Sequence, residues 1–258
     1  MAFKKVDPDG WKRLLTRILI TGDPNSRKTT SLATFPRPLH ALIVPGEKGA
    51  AALPQEEGIT GYAWEQEDSV KLSPAGIVKA VNVLVAEIVG GKHGPVQTLA
   101  IDGFHKMYTW MLADITGGLS LTGDEFEPRL YGRAHEEAMH FLTTINLSSV
   151  PYAVFTCWAG KEADNPELGS KGGSHVFPDL PGKMAKRIMG EFGVVLYAEV
   201  GQAPGPGKEP PATWQLQPEG KVWGAGVKCP PAIARTLPKR VPQDWTKLEA
   251  LLIKGGQE

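Results

Sequence analysis

The chain has 258 residues with 28 basic and 28 acidic side chains, 41% hydrophobic and 22% charged residues, and no net charge. That composition fits one large α/β domain or two small ones, and it excludes a nucleic-acid binder that works through a global positive field. Two widely separated cysteines, Cys157 and Cys229, exclude a disulfide framework or a structural zinc site, and no apolar run approaches the roughly 20 residues of a membrane helix.

The start, Met1 to Lys5, reaches Asp7 and Asp9 before any apolar stretch, so it does not read as a signal peptide, and a cytoplasmic protein is expected. Arg17-Ile18-Leu19-Ile20-Thr21 is a short apolar run that ends at a glycine, as a buried strand feeding a turn should. A helix is expected from Ser26 to Thr34, stopped by Pro36 and Pro38. Ala41 to Val44 reads as a second strand, closed by Pro45-Gly46. From Pro74 to Val89 the apolar residues Ile77, Val81, Leu84, Val85 and Ile88 recur at helical spacing before Gly90-Gly91. Thr98 to Asp102 is another buried strand, ending on an acid, and Phe104 to Ile115 is a helix.

A glycine-rich break spans 117–123, a long amphipathic helix starts near Gly132, and Pro151 to Thr156 is a strand. Residues 162–175 carry glycines and mixed charges and read as a mobile loop. Val194 to Val200 is a strand, 202–212 a Pro/Gly-rich connection, and Thr213–Leu216 with Lys221–Trp223 a β-hairpin about Pro218-Glu219-Gly220. Asp244 to Ile253 closes the chain as an amphipathic helix. Strands alternating with helices predict one α/β domain over 1–258, with a mainly parallel sheet flanked by helices.

The chemistry concentrates at the first strand-to-helix turn. Gly22-Asp23-Pro24-Asn25-Ser26-Arg27-Lys28-Thr29, continued by Thr30, has the spacing of the phosphate-binding P-loop G-x-x-x-x-G-K-[ST]. Such a loop turns backbone N–H groups around phosphate oxygens, its lysine neutralises phosphate charge, and its hydroxyl holds Mg²⁺. Arg27 occupies the place of the second glycine, where close backbone approach favours a residue without a side chain. It can point outward, add charge compensation, or weaken binding and turnover.

Asp102, at the end of a buried strand, is the candidate second group on Mg²⁺. Glu47 lies just past the strand Ala41 to Val44, on the sheet edge where open parallel sheets bind ligands, and is the candidate to orient water. Thr156, ending its strand, is a candidate to sense the γ-phosphate. A nucleotide-binding assembly or switch protein with weak or no hydrolysis and a small-molecule kinase, with Lys183 to Arg187 as its lid, are the competing classes for the same loop.

Taken together, Gly22 to Thr30, Val44 to Gly49, Ala100 to Gly103 and Val154 to Thr156 resemble the phage-encoded RecA-like ATPases, AAA-type proteins grouped with single-strand annealing proteins of the Sak type. Tyr131-Gly132 and Pro178 to Lys183 fit the same pattern, so the resemblance spans roughly 15–250. It implies a RecA-like fold, ATP with Mg²⁺, single-stranded DNA as partner, a homo-oligomer, a role in phage recombination and the host cytoplasm as location. By position it implies Lys28 on phosphate, Thr29 and Asp102 on Mg²⁺, and Glu47 as catalytic acid. It further implies DNA-facing loops at about 117–133 and 161–175, the second carrying Lys161, Lys171 and His175, and a contact from Lys183 or Lys228 to a neighbouring subunit's nucleotide.

Overall fold

A computed structural model describes residues 12, 15–64, 73–118, 128–161, 176–181, 184–219, 222 and 225–254. In chain order they form β1 (Arg17–Gly22), α1 (Lys28–Ser31) running on as a 3₁₀ turn (Leu32–Thr34), β2 (Leu39–Ile43), a 3₁₀ turn (Gly49–Ala52) and β3 (Ile59–Ala63). Then come α2 (Pro74–Val89), β4 (Thr98–Asp102), α3 (Phe104–Ile115), α4 (Pro128–Asn146), β5 (Tyr152–Lys161), β6 (Val176–Pro178) and α5 (Met184–Met189). The remainder is β7 (Val194–Val200), β8 (Ala212–Gln215), β9 (Gly226–Val227), α6 (Pro231–Thr236), β10 (Arg240–Pro242) and α7 (Trp245–Lys254).

The sheet runs β10-β8-β7-β1-β5-β4-β2-β3. From β7 to β3 every neighbouring pair is parallel. Parallel strands need crossovers, and the crossover helices cover both faces, so the strands read as continuous apolar runs with no polar side. Alternate residues serve the two cores. Leu19, Leu42, Leu99, Ile101, Ala153 and Phe155 face the layer of α2 to α5. Ile18, Ile20, Ala41, Ala100, Val154 and Leu196 face the layer that contains Phe35, Trp214 and Trp245. This period of two is what a pleated strand buried on both faces requires.

β3 was not expected from the sequence. Its residues Ile59, Thr60, Gly61, Tyr62 and Ala63 are half-buried or exposed at the sheet's edge, so neither an apolar run nor a clean alternation marks it. α4 starts at Pro128, four residues before Gly132, which places 128–133 in a helix and not in a loop. β5 continues five residues beyond Thr156, because its far end pairs with β6.

The C-terminal pairing also differs. β8 is antiparallel, but its partners are β7 on one side and β10 on the other, so neither of its edges is open to the strand expected at Lys221–Trp223, of which Val222 alone is among the described residues. The tight turn expected about Pro218 survives as a single antiparallel bridge between Glu219 and Val222. Gln243 ties this flank to the phosphate loop: its Nε2 donates to Ser26 O at 2.9 Å, to Thr213 O at 3.2 Å and to Glu199 O at 3.3 Å. Among the described residues no helix is long and apolar enough to cross a membrane.

Candidate functional site

The C-terminal ends of β1, β2, β4 and β5 converge on a pocket of about 380 Å³. The residues from Pro24 to Thr30 line one wall, and Gly46 to Gly49, Asp102, Thr156 and Trp158 complete it. β5 lies between β1 and β4, which brings Thr156 beside Asp102 although 54 positions separate them.

The loop holds its lysine from within. Lys28 Nζ donates to Gly22 O at 2.8 Å, Asp23 O at 2.9 Å and Ser26 Oγ at 3.3 Å. Burial pushes its pKa down, while Asp102 and Glu47 pull it back up. A lysine held by neutral carbonyls in a buried pocket is a cation that phosphate oxygens would compensate better.

Asn25 and Arg27 both take left-handed backbone, φ 64° and 63°. Arg27 therefore has the conformation a glycine would supply, at a cost of about 1–2 kcal/mol for a residue with a Cβ. Its guanidinium turns to Glu209 on the connection between β7 and β8, 3.2 Å away and largely in solvent. Of the roles open to it from sequence, the outward-pointing one describes this geometry.

Asp102 is buried and accepts from two hydroxyls: Thr29 Oγ1 at 2.7 Å on Oδ2, and Thr156 Oγ1 on Oδ1. Thr156 in turn accepts from Gly103 N at 3.0 Å. Burial raises the Asp102 pKa against the lowering effect of these hydroxyls, and the Glu47 charge raises it further. Gly49 closes over the pair, and a Cβ there would stand 2.4 Å from Asp102 Oδ2 and 3.0 Å from Thr29 Oγ1. Among the described residues no group of three or more His, Cys, Asp or Glu could hold a metal ion. The donors present are one hydroxyl and one carboxylate, hard oxygen ligands, and Mg²⁺ bound with nucleotide needs only one or two protein ligands besides phosphate oxygens and water. Thr29 and Asp102 fit that requirement.

Glu47 is placed by backbone contacts: its N–H donates to Val44 O at 3.0 Å, and Trp110 Nε1 holds Pro45 O at 2.8 Å. It lies against the turn that leaves β4. Gly103 has φ 98° there, and a Cβ on it would meet Glu47 Cγ at 2.3 Å. His105 and Trp158 complete this side of the site, and neither was singled out from sequence. The signal for His105 was its place three residues after Asp102; for Trp158, its place two after Thr156.

Of the remaining sequence candidates, Lys171, His175 and Lys183 lie outside the described residues, as do the whole of 162–175 and the stretch 119–127. Lys161 ends β5, its backbone paired with Val176. Lys228 sits elsewhere: its N–H donates to Gly193 O and its Nζ to Gly190 O, at the end of the sheet where β7 begins. β7 runs parallel to β1, with Val194 beside Ile18 and Ala198 beside Gly22, so Lys228 is at the edge opposite its own chain's phosphate loop. The stretch read as a kinase lid contains α5, whose Met184, Ala185 and Ile188 are buried in the core, with the Arg187 charge acting on His135. A lid must be free to swing over phosphates, and a helix anchored by three buried side chains is not.

A family model described as an AAA domain matches residues 15–219. No curated protein matches the chain. Among solved structures it is similar to an ATPase from the type III secretion system of pathogenic bacteria, at 13% identity and TM-score 0.42, covering 71% of this chain and 52% of that one. It is also similar to the assembled ATPase EscN in complex with its central stalk EscO from enteropathogenic E. coli, at 13% identity and TM-score 0.41, covering 71% of this chain and 42% of that one. The assembled EscN gives 14% identity and TM-score 0.39, with 72% and 43% covered. The chain thus spans about half the length of these ATPases. The mainly parallel sheet is flanked by helices and carries the phosphate loop after its first strand, and the family match covers most of the chain. The chain belongs to the AAA domain family of P-loop nucleotide-binding proteins.

Proposed function

We propose that this protein is an ATP-hydrolysing, Mg²⁺-dependent, RecA-like ATPase that acts on single-stranded DNA in phage recombination or strand annealing, as a homo-oligomer. The observation that carries the ATPase half is the Thr29–Asp102–Thr156 arrangement beside Lys28: two hydroxyls donate to one buried carboxylate in the wall of the pocket.

In this reading the backbone from Asp23 to Thr30 cradles the phosphates, and Lys28 exchanges its carbonyl partners for phosphate oxygens. Thr29 and Asp102 hold Mg²⁺, which supplies charge neutralisation on the phosphates when bound. Thr156, already donating to Asp102, faces the phosphate end of the pocket and registers occupancy there. Glu47 orients the attacking water and takes its proton. Arg27 contributes its backbone alone to this cradle, its side chain pointing away toward Glu209.

The DNA half rests on the family resemblance, with Lys161, Lys171 and His175 as backbone-tracking contacts and Lys183 or Lys228 as groups that reach a neighbouring subunit.

The test is ATP turnover with and without single-stranded DNA, read beside particle size. Turnover stimulated by DNA and lost in Lys28→Ala is the expected result. Tight nucleotide binding without turnover would replace it by a nucleotide-dependent assembly or switch protein. Unchanged, salt-insensitive DNA affinity after Lys161→Ala with Lys171→Ala would remove the DNA loop.

A further inference from the structure

His105 is not among the residues that line the pocket, yet it is 5% exposed and its ring is directed at Glu47, which does line it. It is the second residue of α3, carried into place by the left-handed turn at Gly103. Its Nε2 stands 2.8 Å from Glu47 Oε1, an ion-pair distance, although the two atoms are not aligned as a linear hydrogen bond. Both atoms are buried, and neither makes an aligned hydrogen bond to anything else among the described residues. A buried polar group left without a hydrogen bond is destabilising, so both side chains gain by aligning with each other.

The ring's other nitrogen is also engaged. Nδ1 accepts from the backbone N–H of Trp158 at 3.4 Å, so it carries no proton and the neutral ring carries its proton on Nε2, toward Glu47. The imidazole stacks on the Trp158 indole with centroids 4.7 Å apart, and Lys106 Nζ lies 5.1 Å from the centroid of the same indole. Orientation and tautomer are thus set from β5, and the resulting N–H faces one oxygen of the carboxylate.

We propose that His105 is a positioning residue for Glu47: its Nε2–H, fixed by the Trp158 N–H behind it, holds Oε1 so that Oε2 is left to face the attacking water. The inference rests on the reading of Glu47 as the group that orients water. A water-orienting carboxylate on a loop has several rotamers, and a misplacement of about 1 Å is enough to lower a rate about 100-fold. His105 restricts that freedom without touching the nucleotide.

Four variants and one spectrum test this. In His105→Phe the ring still stacks on Trp158 but has no donor; kcat falls about 10- to 100-fold, while the Kd of a fluorescent ATP analogue stays within about two-fold. His105→Gln, whose amide can donate at the same place, recovers most of the turnover. Glu47→Gln loses turnover, and adding His105→Phe to it causes no further loss. Nitrogen-15 spectra of the nucleotide-free wild-type protein show His105 as the Nε2–H tautomer, and Glu47→Gln perturbs that signal. An Nδ1–H tautomer, or full kcat in His105→Phe while Glu47→Gln is inactive, overturns the positioning role alone. Full turnover in Glu47→Gln overturns the reading of Glu47 on which it depends.

Discussion

The phosphate pocket and the C-terminal antiparallel flank meet across β1 and β7, and they are held in different ways. The pocket is polar and closely bonded: Lys28, Thr29, Asp102 and Thr156 each satisfy a neighbour within the site, and Gly49 leaves no room for a Cβ. The flank is held by bulk. Trp214 and Trp245 are buried with Phe35, whose ring stacks on Trp245 at 4.9 Å and tilts toward Trp214 at 6.2 Å. Polar contacts also bridge the halves, among them Gln243 Nε2 to Ser26 O and the Trp245 N–H to Thr34 Oγ1 at 2.9 Å each. Stability should therefore be governed mainly by the flank's aromatic packing, and nucleotide chemistry by the pocket, with Gln243 coupling the two.

The largest expected effect breaks the flank. Trp214→Ala removes a fully buried side chain between β7 and β10, and costs about 3–5 kcal/mol in denaturant unfolding. Loss of well under 1 kcal/mol would show that the flank does not support the fold. Next in size is Gln243→Ala, which strips the donor from three carbonyls; we expect about 1–3 kcal/mol of destabilisation and several-fold weaker nucleotide binding. Loss of stability with unchanged nucleotide affinity would separate the two halves.

Asp102 gives a pH signature confined to the pocket. Its folded pKa is raised, so between the ordinary carboxylate value and the raised one the native state holds a proton that the unfolded chain has released. Its contribution to stability is therefore present below that window and lost as pH rises through it, in protein free of nucleotide and Mg²⁺. Asp102→Asn should flatten that part of the stability profile; an unchanged slope would assign it to another group.

The smallest effect is at Arg27. Arg27→Gly relieves left-handed strain of about 1–2 kcal/mol but adds freedom to the unfolded chain and removes an exposed ion pair, so stability should change by less than about 1 kcal/mol. Nucleotide affinity or turnover should rise, measured by analogue titration and phosphate release. A fall would make the arginine a working ligand despite its contact with Glu209.

Much of the pocket was legible in the sequence because its parts obey local rules. A strand ending at glycine, a fixed spacing to Lys28-Thr29, and acids at the ends of apolar runs all follow from how a parallel strand hands over to a turn. Glu47, Asp102 and Thr156 were named on that basis, and the fold brings them into one wall. His105 was not, because its meaning depends on the Trp158 N–H from a strand 53 positions away. β3 escaped for a related reason: an edge strand buries too little to impose a pattern.

The sequence alone determined the α/β alternation, the parallel core and the phosphate loop, since each depends on hydrophobic period or on spacing over a few residues. Tertiary structure decided the rest. Only the strand order sets β5 between β1 and β4 and so joins Thr156 to Asp102. Only long-range pairing gives β8 to β7 and β10, and turns Arg27 toward Glu209 across 182 positions. Hydrogen-bonding edges and charged side chains are chemically alike along the whole chain, so which of them meet is settled by the packing of both cores and not by any local motif.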